Sequence, residues 1–86
     1  MYFADHLHRV TTLLNAVDPK DMAAVVEDIL TPQEIVELGE RIEVLTQLKA
    51  GKTQRVIADE MGISVTTVSR WSRVLQFGKK GIQKYI

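Results

Sequence analysis

The stretch from residue 53 to residue 71 contains two helix-capping residues and one glycine at a spacing that few folds accommodate. Thr53 and Ser64 each precede a helix-forming run, and the side-chain oxygens of such residues commonly cap helix N-termini. Gly62 lies between the runs, where glycine can end a helix in the left-handed conformation without steric cost. The sequence therefore predicts two short helices joined by a tight turn.

Apolar residues in the same stretch fall at positions where two crossed helices must meet. They are Ile57, Met61, Ile63, Val68 and Trp71. Ala58 lies at the expected crossing, where a larger side chain would push the helices apart. This combination of caps, glycine, small residue and apolar positions is typical of a helix-turn-helix.

The second helix of this pair leaves short polar and methyl-bearing side chains on its outer face. They are Val65, Thr66, Thr67 and Ser69, followed by the cation of Arg73. Such groups fit the floor of a DNA major groove, and a nearby cation suits its phosphates. The alternative interpretations are a structural helix pair, since small helical bundles also contain glycine between helices, and recognition of another partner such as RNA or protein.

The net charge of zero conceals two halves of opposite sign. Residues 1–48 carry three basic and nine acidic side chains, whereas residues 49–86 carry eight basic and two acidic ones. Because the field near a site depends on local charge, the basic half favours a phosphate-facing surface around the predicted helix-turn-helix. The acidic half is interpreted as solvated helix surface.

The chain of 86 residues is predicted to form one domain, 1–86, with a core that is marginal for a monomer. Apolar residues make up 45% of it, so part of that surface is expected to be buried against a second copy. It lacks a long apolar run and a signal-peptide pattern, which predicts a soluble cytoplasmic protein without membrane contact. The absence of cysteine excludes disulfides and thiolate metal sites. No enzyme motif is present, and His6 and His8 point to different sides of a helix, so neither catalysis nor a metal site is expected.

Helical periodicity runs through the rest of the chain, and no alternating strand pattern stands out. Apolar residues recur at three- and four-residue steps from Phe3 to Val17, and Pro19 fits the first turn of the helix that follows. Thr31 and Glu34 form a predicted capping box at the start of another helix. We therefore predict an all-α fold of five or six helices.

The helix after this capping box is the longest, from about Pro32 to Ala50. Its apolar stripe has a spacing that suits a coiled-coil-like contact and consists of Ile35, Leu38, Ile42 and Leu45. Gly39 in its middle costs about 1 kcal/mol relative to alanine, and would be tolerated if another backbone packs close there. The predicted organisation is dimerisation helices in 1–50, a helix-turn-helix in 53–73 and a C-terminal helix in 79–86.

A more particular pattern extends over residues 30–75. It consists of Leu30-Thr31-Pro32 with Glu34, Leu38-Gly39-Glu40-Arg41, Gly51, Thr53-Gln54-Arg55, Gly62 and Thr67-Val68-Ser69-Arg70. These positions resemble the Trp repressor superfamily, and the tail from Arg73 to Gly78 is more similar to a related branch of regulators. The resemblance implies an intertwined homodimer whose two helix-turn-helix heads address successive major grooves of a palindromic double-stranded DNA operator.

The resemblance, the local cations and the predicted cap of the second helix together give the residues expected to contact DNA. The set is Lys52, Gln54, Arg55, Ser64, Val65, Thr66, Thr67, Ser69 and Arg73. Residues 65–67 would enter the groove, while Gln54 and Arg55 would contact phosphates. The family's lysine in the first helix is Ala58 here, so cations elsewhere must supply that charge.

The family's corepressor pocket has counterparts in this sequence. In the tryptophan-dependent repressor two arginines sandwich the indole ring of L-tryptophan, and Arg41 and Arg70 occupy those positions, with Leu30 and Thr31 matching the pocket wall. The family glycine that leaves room for the ring is Trp71. We expect this indole to fill the space of a free tryptophan, so that DNA binding requires no cofactor or responds to another effector. The alternatives are that L-tryptophan still binds, and that Trp71 simply packs between the helices.

The primary interpretation is a sequence-specific DNA-binding transcription regulator, a repressor, that acts as a homodimer. The first alternative is a protein-interaction or oligomerisation module that retains the helix-turn-helix shape, which predicts no salt-sensitive DNA binding. The second is a nonspecific nucleic-acid binder, which would show affinity without a preferred site.

Overall fold

Helices make up nearly all of the regular structure in the computed structural model, which describes residues 2–86. The five α-helices are α1 (Tyr2–Ala16), α2 (Met22–Ile29), α3 (Pro32–Lys49), α4 (Gln54–Met61) and α5 (Val65–Phe77). Single 3-10 turns lie at Pro19–Asp21 and Gln83–Tyr85, and no strand is found within residues 2–86. The predicted all-α fold is confirmed. The chain divides into two compact units, one ending at Ile35 and the other running from Val36 to Ile86.

The first unit contains α1 and α2. The Asp18 side chain accepts a hydrogen bond from the backbone N–H of Lys20 at 3.0 Å, which caps the 3-10 turn that begins at Pro19. The proline therefore starts this turn, three residues ahead of α2. No residue of α1 is buried, and the large apolar side chains of Phe3, Leu7 and Val10 are all exposed. The apolar stripe predicted for this helix is thus uncovered in the single chain.

The start of α3 is fixed by the predicted capping box. The backbone N–H of Glu34 donates to Thr31 Oγ1 at 3.1 Å, and the backbone N–H of Thr31 donates to Glu34 Oε1 at 2.9 Å. These reciprocal bonds satisfy two N–H groups that have no partner inside the helix. Pro32 takes the first helical position, where its missing N–H costs nothing.

The core of the second unit forms where α3, α4 and α5 meet. Its buried members are Val44, Ile57, Ala58 and Val68, and Leu48, Met61, Ile63 and Trp71 pack against them. The apolar positions expected to join α4 to α5 are therefore brought together, with the small Ala58 fully inside. Val44 of α3 completes this core, although it lies outside the apolar stripe predicted for that helix.

A second face of α3 points away from this core. Leu38 is 40% exposed and Ile42 is 44% exposed, although both belong to the predicted coiled-coil-like stripe, while Leu45 of the same stripe is buried. Gly39 lies on the same helix, and nothing within residues 2–86 comes within 4 Å of a Cβ built on it. The single chain therefore leaves the part of this face around Leu38, Gly39 and Ile42 exposed.

The C-terminal segment forms less helix than the sequence predicts. A single 3-10 turn, Gln83–Tyr85, lies within the predicted helix 79–86. The segment is held by side-chain bonds instead, since the Lys49 ammonium donates to the backbone carbonyls of Gln83 and Ile86. Gln83 Nε2 in turn donates to the carbonyl of Leu75 at 2.8 Å. These bonds tie the segment to the ends of α3 and α5.

The length and hydropathy of the helices bear on whether any of them could cross a membrane. A membrane-spanning helix needs about 20 predominantly apolar residues. None of the helices within residues 2–86 combines sufficient length with sufficient hydropathy to cross a membrane.

Candidate nucleic-acid interface

Thr53, Gly62 and Ser64 fix the ends of α4 and the start of α5, as the sequence predicts. Thr53 Oγ1 accepts from the backbone N–H of Val56 at 3.2 Å, and Ser64 Oγ accepts from the backbone N–H of Thr67 at 3.0 Å. Gly62 adopts φ 68° and ψ 33°, the left-handed conformation. The two helices therefore form a helix-turn-helix whose second member is α5.

The outward side of α5 forms an open groove together with the start of α4. Its lining residues are Gln54, Val65, Thr66, Ser69, Arg70 and Arg73, and its volume is about 500 Å³. We call this depression the α5 groove. Five of the six residues lie on α5 at steps that place them on one side of a helix, since 65, 69 and 73 are four residues apart and 66 and 70 flank them. The groove holds two cations and no anion.

Thr67 lies on a different side of α5 from this groove. It is half-buried, and its hydroxyl is 2.8 Å from Ser64 Oγ, so the two side chains cap the helix together. It also lines a separate cleft between α3 and α5. The structure therefore separates Thr67 from Val65 and Thr66, with which the sequence pattern grouped it.

The remaining candidate DNA contacts are not among the residues that line the groove. Lys52 and Arg55 are exposed near the start of α4. Lys52 Nζ forms an ion pair with Glu60 Oε1 at 2.7 Å, a partner that the sequence pattern did not reveal. Ser64 is exposed at the N-terminus of α5, where its side chain is used as the cap.

The cleft between α3 and α5 has a volume of about 280 Å³. We call it the α3–α5 cleft. Its lining residues are Glu37, Glu40, Arg41, Val44, Ile63, Thr67, Arg70 and Trp71. Its volume lies slightly below the range of about 300–1,000 Å³ that small-molecule sites usually span.

Arg41 and Trp71 make direct contact at this cleft. The guanidinium carbon of Arg41 lies 3.9 Å from the centroid of the Trp71 ring, which is a cation–π arrangement. The Nε atom of Arg41 is buried and has no hydrogen-bond partner within residues 2–86. The cleft thus presents one arginine stacked on an indole, with one of its donors unpaired.

Three of the five effector-pocket residues predicted from the sequence line this cleft. Arg41, Arg70 and Trp71 line the cleft. Leu30 and Thr31 belong to the first unit of the chain, where Thr31 caps α3, and they are not among the cleft's lining residues.

Two acidic residues of the cleft were missed by the sequence pattern. Glu37 and Glu40 were interpreted as solvated helix surface, although Glu37 lies four residues before Arg41 on α3 and so shares its face. The four-residue spacing between Glu37 and Arg41 is the sequence feature that indicates a shared face. Arg70 was assigned to the pocket alone, yet it lines both the cleft and the α5 groove.

No group of three or more His, Cys, Asp or Glu side chains close enough to hold a metal ion occurs in the part of the chain that the structure describes, residues 2–86.

Comparison with known proteins shows to which family the chain belongs. A profile described as the Trp repressor protein matches residues 5–86. The chain belongs to the Trp repressor family. Members of this family are regulatory proteins that bind DNA.

Individual relatives in the Trp repressor family are similar over most of the chain. The uncharacterized protein YerC of Bacillus subtilis (strain 168) is 34% identical over 67 residues, which is 78% of this chain and 64% of that protein. The Trp operon repressor homolog of Xylella fastidiosa (strain M23) is 35% identical over 57 residues, 65% of this chain and 62% of that protein. The chain therefore spans somewhat less than two thirds of the length of these relatives. No solved structure matches it.

Proposed function

We propose that the protein is a transcription repressor that binds double-stranded DNA at specific sequences as a homodimer, and that it does so without L-tryptophan. The observation that carries the proposal is the α5 groove. It places small side chains at the N-terminal end of α5 and two arginines further along the same helix. This is the arrangement in which a recognition helix contacts base edges with its first residues and phosphates with flanking cations.

The charge around the groove supports DNA as the partner. Lys52 and Arg55 lie at the start of α4, and Arg70 and Arg73 lie on α5. The only acidic residues from position 49 onward are Asp59 and Glu60. A local excess of cations releases counterions from the DNA backbone when it binds, so the affinity should fall steeply with salt.

Uncovered apolar surface supports the homodimer. In the first unit Phe3 is 76% exposed and Leu7 is 50% exposed, and in the second unit Leu38 and Ile42 of α3 are exposed. Apolar faces of this kind are normally covered by another chain. A two-fold symmetric pair would carry two α5 helices, which suits a palindromic operator with half-sites one helical turn of DNA apart.

The contact between Arg41 and Trp71 supports binding without L-tryptophan. An arginine that would stack on a bound indole already stacks on the indole of the chain itself, at 3.9 Å. The cleft that remains is small, at about 280 Å³. The side chain of Trp71 is therefore proposed to do internally what a corepressor does in a tryptophan-dependent repressor.

One observation favours a second candidate, in which a small ligand occupies the α3–α5 cleft. Arg41 Nε is a buried donor without a partner within residues 2–86, and leaving such a group unsatisfied costs about 1–3 kcal/mol. A carboxylate in the cleft could accept from it. L-Tryptophan or another amino acid would then act as an effector of DNA binding.

Selection of bound sequences from a random duplex library tests these candidates together. It is carried out at two salt concentrations, each with and without L-tryptophan. Enrichment of a palindromic site without ligand, weakened by salt, is the result expected for a constitutive dimer. Enrichment only with L-tryptophan would favour the effector candidate instead. No enriched site, together with a stable complex with another protein, would overturn the proposal in favour of an interaction module.

A further inference from the structure

We propose that the protein recognises its operator through the C5 methyl groups of thymine, which contact Val65 and Thr66. This inference rests on the proposed DNA-binding function and specifies the base feature that the α5 groove reads. Both residues line the groove, and both lie in the first turn of α5. That turn is the part of a recognition helix that reaches base edges.

The first turn of α5 offers little hydrogen-bonding capacity to a base. Val65 is 45% exposed, and its isopropyl group has no donor or acceptor. Thr66 is exposed and carries one methyl and one hydroxyl. Strong discrimination by hydrogen bonds uses bidentate side chains, arginine or lysine to guanine and asparagine or glutamine to adenine, and none lies in this turn.

The hydroxyl of Thr67 is also withdrawn from the groove. It lies 2.8 Å from Ser64 Oγ, and Ser64 Oγ in turn accepts the backbone N–H of Thr67 at 3.0 Å. The hydroxyl groups of Ser64 and Thr67 therefore form hydrogen bonds at the N-terminal cap of α5. Within the first turn of α5, the hydroxyl of Thr66 is therefore the one polar side-chain group that lines the groove, while Ser69 lies one turn further along and Gln54 lies on α4.

The two arginines of the groove lie further along α5 than Val65 and Thr66. Arg70 is five residues beyond Val65, roughly 7.5 Å along the helix axis, so we assign it to a neighbouring base or phosphate. Arg73 is eight residues beyond Val65, which corresponds to roughly 12 Å along a helix axis. Its guanidinium carbon lies 5.8 Å from the Phe77 ring centroid, near the C-terminal end of α5. A cation at that end suits the phosphate backbone, while the apolar N-terminal end faces the bases.

Apolar contact with the thymine methyl is the form of major-groove recognition to which Val65 and Thr66 are best suited. Thymine differs there from cytosine and from uracil in carrying this methyl group. Burial of one such group contributes about 0.8 kcal/mol, which corresponds to about a fourfold change in affinity. In a homodimer the two half-sites act together, so symmetric removal of one methyl from each should weaken binding about fifteenfold.

Deoxyuridine substitution in the selected operator tests the proposal directly. Each thymine is replaced in turn, in both half-sites, and the affinity of the full-length protein is measured. Deoxyuridine keeps every hydrogen-bonding group of thymine and removes only the methyl. We expect about a fifteenfold loss at the positions opposite Val65 and Thr66 and little change at the other thymines.

Two substitutions at one position assign the contact to its residue. Thr66→Ser keeps the hydroxyl and removes the methyl, whereas Thr66→Val keeps the methyl and removes the hydroxyl. At the thymine that Thr66 contacts, the deoxyuridine effect should disappear in Thr66→Ser and persist in Thr66→Val. Val65→Ala should abolish the effect at its own thymine, with circular dichroism confirming that each variant is folded.

The outcomes separate this proposal from the function on which it rests. A palindromic operator that tolerates deoxyuridine at every position would overturn the methyl readout and leave the DNA-binding function intact. The same holds if the sensitive position responds equally to Thr66→Ser and Thr66→Val. Absence of any enriched sequence would overturn both.

Discussion

The guanidinium of Arg41 on α3 stacks on the indole of Trp71 on α5, with 3.9 Å between the guanidinium carbon and the ring centroid. Trp71 packs on the core that joins α3, α4 and α5, so the pair lies between that core and the α3–α5 cleft. Cation–π contacts of this kind contribute about 0.5–2 kcal/mol. The contact therefore helps to fix the position of α5, the helix that lines the proposed DNA-binding groove.

Removal of the Trp71 indole should open the cleft to free L-tryptophan. We predict that Trp71→Gly binds L-tryptophan with measurable heat in titration calorimetry, whereas the unaltered protein does not. Trp71 is the chain's one tryptophan, so polarisation of the ligand's own fluorescence gives a second measure of binding in the variant.

Loss of this side chain also lowers stability, because Trp71 is partly buried against the core, although by less than the roughly 3–5 kcal/mol that truncation of a fully buried tryptophan costs. Trp71→Leu keeps apolar packing while it shortens the side chain, and serves as the variant that preserves the fold. If neither variant binds L-tryptophan differently from the unaltered protein, the occlusion hypothesis is wrong.

The two N-terminal caps should contribute separately to stability. Thr53→Ala and Ser64→Ala each remove a side-chain acceptor of a backbone N–H, and each should lower the free energy of unfolding by about 1 kcal/mol. Thr66→Ala is the control, because its exposed side chain makes no hydrogen bond within residues 2–86, and should change stability by less than about 0.5 kcal/mol. Urea denaturation at one fixed protein concentration measures all three. Equal losses in the three variants would contradict the capping roles.

These caps show which part of the fold could be predicted from sequence. Thr53, Gly62 and Ser64 form their capping hydrogen bonds with residues no more than four positions away. Such local contacts follow directly from the residue types at these positions. The positions of Ile57 and Val68 follow from helical spacing once the turn is known. Local chemistry of this kind is readable from one sequence, and the structure confirms it at each of these residues.

The parts that could not be predicted depend on contacts between distant segments. Val44 is buried because α3 presents its 41–44–48 face to α4 and α5, while periodicity pointed to the neighbouring stripe through Leu38 and Ile42. Both of these faces of α3 carry apolar side chains, so their spacing alone does not show which face packs against other helices of the same chain. The sequence pattern groups Thr67 with Thr66 as an outward-facing residue of α5, but the Thr67 hydroxyl lies 2.8 Å from Ser64 Oγ at the cap of the helix.

A substitution at Gly39 tests whether a second chain packs on α3. Nothing within residues 2–86 lies within 4 Å of a Cβ at this position, so Gly39→Leu should be tolerated by the single chain. In the proposed homodimer a partner backbone lies close to this glycine, and the larger side chain should displace it. We predict that sedimentation analysis shows a dimer for the unaltered protein and a folded monomer for Gly39→Leu.

Gly39→Ala provides the graded comparison for this test. Alanine favours a helix by about 1 kcal/mol over glycine, so the variant chain itself should be more stable. Its dimer should nevertheless be weaker than that of the unaltered protein. If the Gly39→Leu protein remains dimeric, this face of α3 is not part of the dimer interface.

Arg73 and Thr66 should differ in how their loss affects DNA binding. Arg73→Ala removes a phosphate contact, so affinity for all sequences should fall alike, and the slope of log affinity against log salt should decrease by about 0.9 per protomer. Thr66→Ala should instead weaken the selected operator more than random DNA. Fluorescence anisotropy on both duplexes at several salt concentrations separates the two patterns. Equal losses on both duplexes for Thr66→Ala would refute its role in base recognition.

The exposed ion pair between Lys52 and Glu60 should compete with DNA. Its atoms are 2.7 Å apart, and the two side chains are 44% and 53% exposed, so the pair adds little to stability. Lys52 must release Glu60 before it can contact a phosphate. We predict that Glu60→Gln raises DNA affinity by up to about fivefold, the factor equivalent to the roughly 1 kcal/mol upper range of exposed pairs.

Asp59 offers a matched control for this charge effect. Asp59→Asn removes the same charge from the adjacent position, where the carboxylate makes no ion pair within residues 2–86. General repulsion of DNA would make the two variants equal, whereas release of Lys52 predicts a larger gain for Glu60→Gln. The gain should also vanish in a Lys52→Ala background, since no lysine is then available to be released. An undiminished gain in that background would exclude Lys52 as the phosphate contact.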